Sequence, residues 1–163
     1  MHTASDFGVP WLSVEEALRI QERYKVDAIY PATSLQQGFI FHHISQPDDD
    51  AYRVQVLMDY HQKIEIDAFK EAWRLASLKF PSLRIAFDWE NETVQVITSG
   101  ASIGDGHFHY EDISHLNHAE REVRITQIQK SERLKPFDLS QPGLLRIIII
   151  KQAESFFTIL KTE

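Results

Sequence analysis

Apolar residues recur along this chain in two periods, one of three to four residues and one of two, and the switches between them predict its elements. Ser13 precedes a run in which Val14, Ala17, Leu18 and Tyr24 share a face, and Glu16 completes a capping box, so a helix starts there. A second helix is expected over residues 33–44. Pro31 holds Tyr30 extended, Thr33 and Ser34 offer capping hydroxyls, and Gln37 is placed to reach back. Leu35, Phe39, Ile40, Ile44 and one of His42 or His43 would form its buried face. Gly38 interrupts it at a cost of roughly 1 kcal/mol relative to alanine, so a close neighbour against the backbone is expected.

Further on, Tyr52, Val54, Val56 and Met58 alternate with Arg53, Gln55 and Leu57, the mark of a strand with one buried face. A third helix is expected from a cap at Asp67 to Lys79, with Phe69, Ala72, Trp73, Ala76 and Leu78 inward and Pro81 as its stop. Residues 83–89 and 93–98 read as a hairpin about Glu90-Asn91-Glu92. After the loop at 100–106 come a short strand at 107–110 and a charged helix at 116–134, with Leu116, Ala119, Val123 and Ile128 inward. The last pair, 144–151 and 155–161, turns at Gln152-Ala153-Glu154. Ile147, Ile148, Ile149 and Ile150 are apolar on both faces, which places their strand inside a sheet. The whole reads as α+β: a two-layer sandwich with helices on one face of a mixed, mostly antiparallel sheet.

The length suits one domain with a single core. A net charge of −7 with no basic stripe argues against nucleic acid as a partner. The absence of cysteine removes thiol catalysis, thiolate metal sites and disulfides. Residues 1–10 have neither the basic start nor the apolar stretch of a signal peptide, and no apolar run approaches the ~20 residues of a membrane helix. The expectation is a cytoplasmic chain with no membrane partner.

Candidate chemistry is sparse. Ser34 has no histidine and acid that the sequence can place beside it, so capping outranks nucleophilic attack. His107 and His109 would share a strand face, with His115 and His118 nearby, but nothing orients the second pair toward a shared zinc, so no metal site is assigned. Arg84, in a strand-forming run, reads as an internal ion-pair partner, structural use being favoured. Trp11, Trp73 and Trp89 read as packing.

Residues 30–44, Y-P-A-T-S-L-Q-Q-G-F-I-F-H-H-I, resemble the first core motif of the condensation domains of non-ribosomal peptide synthetases, Y-P-[LA]-[ST]-x-[LMV]-Q-x-G-[MIF]-[LIY]-F-H. Residues 80–87, F-P-S-L-R-I-A-F, resemble the second, R-H-x-x-L-R-T-x-F, through Leu83, Arg84 and Phe87, whereas Lys79, Phe80 and Ile85 depart from it. Residues 136–150, P-F-D-L-S-Q-P-G-L-L-R-I-I-I-I, resemble the F-D-L-x-x-x-P-L-L-R segment ahead of the central strand. The resemblance implies most of the N-terminal lobe, over 13–163, of a chloramphenicol-acetyltransferase-like fold, with 1–12 as inter-domain linker. Its Gln36-Gln37-Gly38 form resembles the subtypes that accept a D-configured donor.

The resemblance further implies peptide-bond formation between donor and acceptor thioesters, both delivered on the phosphopantetheine of upstream and downstream peptidyl carrier proteins, with no cofactor bound directly. Gln36, Gly38, His42, His43 and Arg84 are the motif residues expected at the substrate tunnel. The family's catalytic His-His-x-x-x-Asp-Gly occurs nowhere in the chain and would begin just after residue 163, so no catalytic residue is assigned and the lobe alone is expected to be inactive.

Alternatives remain. His42-His43-Ile44 with Asp50 resembles the H-H-[IL]-x-x-x-x-G-D motif of dual epimerisation/condensation domains, but Asp49 replaces its glycine. The chain also reads as a non-catalytic module for a carrier protein or the missing C-terminal lobe, with self-association through an exposed inter-lobe face. A zinc-binding domain is the last.

Overall fold

A computed structural model describes residues 7–9 and 11–163. They divide into two compact units. The first holds the residues up to Ser45, Arg74–Ile103 and Asp138–Leu144. Helix α1 (Val14–Arg23) starts as its sequence predicts, the Ser13 hydroxyl accepting the Glu16 amide at 3.1 Å. It packs on an antiparallel sheet of order β1-β4-β3, made of β1 (Val26–Pro31), β3 (Ile85–Asp88) and β4 (Val94–Thr98). Ala17, Ile20, Tyr24, Ile29, Ala86, Val94 and Val96 form the core with Val9 and Leu12. Packing therefore begins inside the stretch read as linker, of which residues 1–6 and 10 lie outside the described residues. Arg19 ties α1 to the β3–β4 turn, reaching Asp88 at 2.5 Å and Glu90 at 2.7 Å, and it also pairs with Glu16 of its own helix at 2.6 Å.

Strand β1 escaped the sequence pattern because it is an edge strand with Ile29 alone fully buried, and Pro31 at its end is tolerated where no partner needs the missing amide. Arg84 is not in a strand. Pro81 opens a 3-10 turn, Pro81–Arg84, and β3 starts one residue later. Helix α3 (Ile66–Lys79) begins one residue before Asp67, so Asp67 lies in its first turn. Its fully buried residue is Ser77, while Ala72 and Leu78 of the expected stripe are exposed.

The second unit holds Gln46–Trp73, Gly104–Phe137 and Leu145–Glu163. Its sheet has the order β2-β7-β6-β5, from β2 (Gln55–Tyr60), β5 (Phe108–Asp112), β6 (Arg146–Ala153) and β7 (Phe156–Thr162). Strands β5 and β6 are parallel, joined through helix α4 (His118–Leu134), and the other pairs are antiparallel. The two internal strands carry the apolar runs, and Ile147–Ile150 are buried on both faces. On one face Ile148, Ile150 and Leu160 pack with Ile113, Ile125 and Ile128. Phe69 of α3 meets Phe108 edge-on at 6.4 Å.

The expected strand over 52–58 begins at Gln55 and has no clean buried face, because an edge strand has a neighbour on one side only: Val56, Leu57 and Tyr60 are exposed. Asn117 and Glu120 cap α4 reciprocally at 2.9 and 3.1 Å, starting it after Leu116. Its buried residues are Ile125, Ile128 and Glu132, and Ala119 and Val123 face solvent, since a helix lying on a sheet touches it along a narrow stripe. His107 lies in a 3-10 turn, Asp105–His107, ahead of β5, so it shares no strand face with His109. No helix among the described residues is long and apolar enough to cross a membrane.

Candidate functional site

Helix α2 (Ser34–Ser45) of the first unit carries four of the five motif residues. Its start is a capping box between Thr33 and Gln36. The Gln36 amide donates to Thr33 Oγ1 at 3.2 Å, and the Thr33 amide donates to Gln36 Oε1 at 2.8 Å. Gln36 Nε2 also donates to Gln95 Oε1 on β4 at 3.3 Å, and Gln95 Nε2 to the Pro31 carbonyl at 3.1 Å. The reciprocal partner is thus Gln36, not Gln37, whose side chain donates to the Ala32 carbonyl at 3.0 Å.

The helix does not bury the expected apolar face. Of that face Ile40 is 4% exposed, but Leu35, Phe39 and Ile44 are 65%, 36% and 54% exposed, and Phe41 outside it is 72% exposed. Apolar residues occur all round this helix, and one line of it can meet the sheet. Nor does any described residue press on Gly38: a Cβ at that position would meet no heavy atom within 4 Å. Chemically this is an apolar, sterically open helix surface with a fixed amide, Gln36, near its start and two half-buried imidazoles, His42 and His43, in its last turn. Asp138 is held below its ordinary carboxyl range first by the Ser140 hydroxyl, at 2.7 Å, with the charges of Arg23 and His43 adding.

Arg84 is buried and its donors face protein groups. Nε donates to the Thr98 carbonyl at 2.8 Å, Nη1 to the Ser77 and Leu78 carbonyls at 3.1 and 2.6 Å, and Nη2 to Asp27 Oδ2 at 3.1 Å. It closes the C-terminal end of α3 onto β1 and β4. Asp50, the acid of the dual-domain spacing, is ion-paired with Arg133 in the second unit.

The second unit holds a half-open cleft of about 400 Å3 between the starts of β5 and β6 and the end of α4. Its cations are paired: Arg124 with Glu111 at 2.5 Å, and both Arg146 and Lys135 with Glu132. His107 accepts the Gly104 amide on Nδ1 at 3.1 Å. No group of three histidine, aspartate or glutamate side chains that could hold a metal occurs among the described residues. Sequence reasoning missed Arg146 as an organising residue. It caps α4 through the Glu132 and Lys135 carbonyls at 3.0 and 2.8 Å, and the signal was its place at the end of the F-D-L-x-x-x-P-L-L-R segment.

A family model for the condensation domain matches residues 26–162. The chain belongs to the condensation-domain family. It is 37% identical over 131 residues to the N-(5-amino-5-carboxypentanoyl)-L-cysteinyl-D-valine synthase of Amycolatopsis lactamdurans, a match covering 79% of this chain and 4% of that protein. Against bacitracin synthase 3 of Bacillus licheniformis it is 28% identical over 162 residues, 97% of this chain and 2% of that protein. The condensation-domain fold is that of the starter condensation domain of rhizomide synthetase RzmA, with a TM-score of 0.71 at 18% identity, covering 83% of this chain and 33% of that one. The chain therefore spans a small part of its curated relatives and about a third of that solved chain.

Proposed function

We propose that these residues frame one side of the substrate path of a non-ribosomal peptide synthetase condensation domain, which joins a donor acyl group and an acceptor amine, each held on a carrier protein's phosphopantetheine. The observation that carries this is the condensation-domain match over residues 26–162, which takes in all three motif segments. On this reading residues 13–163 belong to the N-terminal lobe. Helix α2 offers Gly38 and its open surface to the donor arm, with Gln36, His42 and His43 around it, and Arg84 holds the surrounding backbone. The Gln-Gln-Gly sequence favours a D-configured donor, and the setting is the cytoplasm.

The rate gain in such a reaction comes from holding amine and thioester together and from a histidine that orients or deprotonates the amine. Positioning is the share that these residues supply, because the 163 residues contain no His-His-x-x-x-Asp-Gly. The test uses the parent synthase with both carriers loaded, reading amide product by mass spectrometry. Gly38→Val should slow amide formation while carrier loading is unchanged. No amide from the parent synthase overturns the reading as a whole; amide formation at the parent rate in the Gly38→Val protein overturns the role of α2.

A further inference from the structure

Strand β4 is the middle strand of the first unit's sheet and begins Val94-Gln95-Val96. Alternation turns Val94 and Val96 into the core shared with α1, so Gln95 points to the other face, where the register sets it between Tyr30 of β1 and Phe87 of β3. There its side chain completes a directed chain of hydrogen bonds. The Thr33 amide donates to Gln36 Oε1 at 2.8 Å, Gln36 Nε2 donates to Gln95 Oε1 at 3.3 Å, and Gln95 Nε2 donates to the Pro31 carbonyl at 3.1 Å. The chain ends on an amide that can only donate and a carbonyl that can only accept. Neither carboxamide can turn over without setting oxygen against oxygen or N–H against N–H, so the direction of the whole chain is fixed.

We propose that Gln95 is a positioning residue of the condensation reaction: acting through Gln36, it sets the rotation at which α2 presents its Gly38 face to the donor arm. The proposal rests on the reading of α2 given above. Gln36 and Ile40 stand one turn apart on the same side of α2, and among residues 34–41 all the others are exposed, so this line is where the helix is seated. At about 100° per residue, Gly38 lies on the opposite side. Burial of Ile40 holds the helix down but is non-directional, whereas the bond from Gln36 fixes an orientation. Its anchor is rigid, because β4 is bonded to a strand on each side. A rotation of α2 about its axis would move the Gly38 face relative to the donor's α-carbon. Gln95 therefore governs the choice between donors of opposite configuration more than the capacity to make an amide.

The test uses the parent synthase, its downstream carrier loaded by the synthase itself and its upstream carrier charged with D-alanyl or L-alanyl phosphopantetheine, and reads the initial rate of amide formation with each donor by mass spectrometry. The parent should favour the D-alanyl donor. Gln95→Leu, which removes both side-chain bonds, should lower the D-to-L rate ratio by about fivefold or more. A variant that merely folds less well loses both rates in proportion and keeps the ratio, so the ratio separates positioning from stability. If Gln95→Leu gives no folded synthase, Gln95→Glu carries the test, since it keeps an oxygen for Gln36 Nε2 but sets another against the Pro31 carbonyl. Gln36→Glu sets an oxygen against Gln95 Oε1 and should lower the ratio as well. Adding Gln95→Lys to it should return the ratio toward the parent's, because an ammonium can donate both to the new carboxylate and to the Pro31 carbonyl. No amide from the parent with either donor overturns the reading of α2 and this inference together. A parent that makes amide without discriminating between the donors, a ratio unchanged in Gln95→Leu and Gln95→Glu, or a double variant no better than Gln36→Glu overturns the inference alone.

Discussion

The guanidinium of Arg146 lies over the ring of Phe137, 4.0 Å from its centre, so the first and last residues of F-D-L-S-Q-P-G-L-L-R touch across the loop between them. The same guanidinium donates to Glu132 Oε2 at 3.1 Å and to the last carbonyls of α4. One side chain thus ends the crossover helix and starts the central strand β6. Arg146→Ala should destabilise the chain by about 2–4 kcal/mol in urea unfolding, through lost charge-assisted bonds and stacking. Arg146→Lys should recover less than half, because a single ammonium cannot stack flat and fork at once.

Arg84 makes the corresponding prediction in the first unit. Removing it leaves the Thr98, Ser77 and Leu78 carbonyls without their donor, and buried acceptors so orphaned cost about 1–3 kcal/mol each. Arg84→Ala should therefore cost about 3 kcal/mol or more. Asp27→Asn should cost about 1 kcal/mol or less, since that carboxylate is 45% exposed and solvent screens the pair. Equal losses in the two variants would show that the ion pair, not the carbonyl bonds, sets the contribution.

Gly38 should be unnecessary for folding. It sits inside α2 with space around the position of a Cβ, so Gly38→Ala should stabilise the chain by about 0.5–1 kcal/mol in thermal or urea unfolding. A loss of stability would mean that the helix backbone is approached there after all.

Glu16 supplies a pH dependence. Hydrogen bonds from Arg19 come first among the causes that hold its carboxyl below the ordinary 4.5, opposed by burial, with Asn91 helping. A carboxyl depressed in the folded state contributes stability that is present above its unfolded value and lost as pH falls through its folded value. The unfolding free energy should decline from about pH 5 downward, and in Glu16→Gln the decline should be shallower. An identical acid limb in both proteins would exclude Glu16 as its source.

The sequence by itself determined the elements whose signals are local. The Ser13–Glu16 start of α1, the hairpin of β3 and β4, and the internal place of Ile147–Ile150 follow from caps, turns and strand period, which involve residues near in the chain. The motif spacings marked Gln36, Gly38 and Arg84, and with them the family. Tertiary structure decided what those residues do. Gln36 turned out to be the capping partner of Thr33 and the neighbour of Gln95, and Arg84 the donor for carbonyls on α3 and β4. Burial was the least readable property. Leu35 and Phe41 on α2, Leu57 on β2 and Val123 on α4 are apolar, yet among the described residues they stay exposed. Hydrophobicity says that a side chain gains by leaving water, but which surface covers it is set by partners distant in the chain, and a period read along one strand or helix does not contain them.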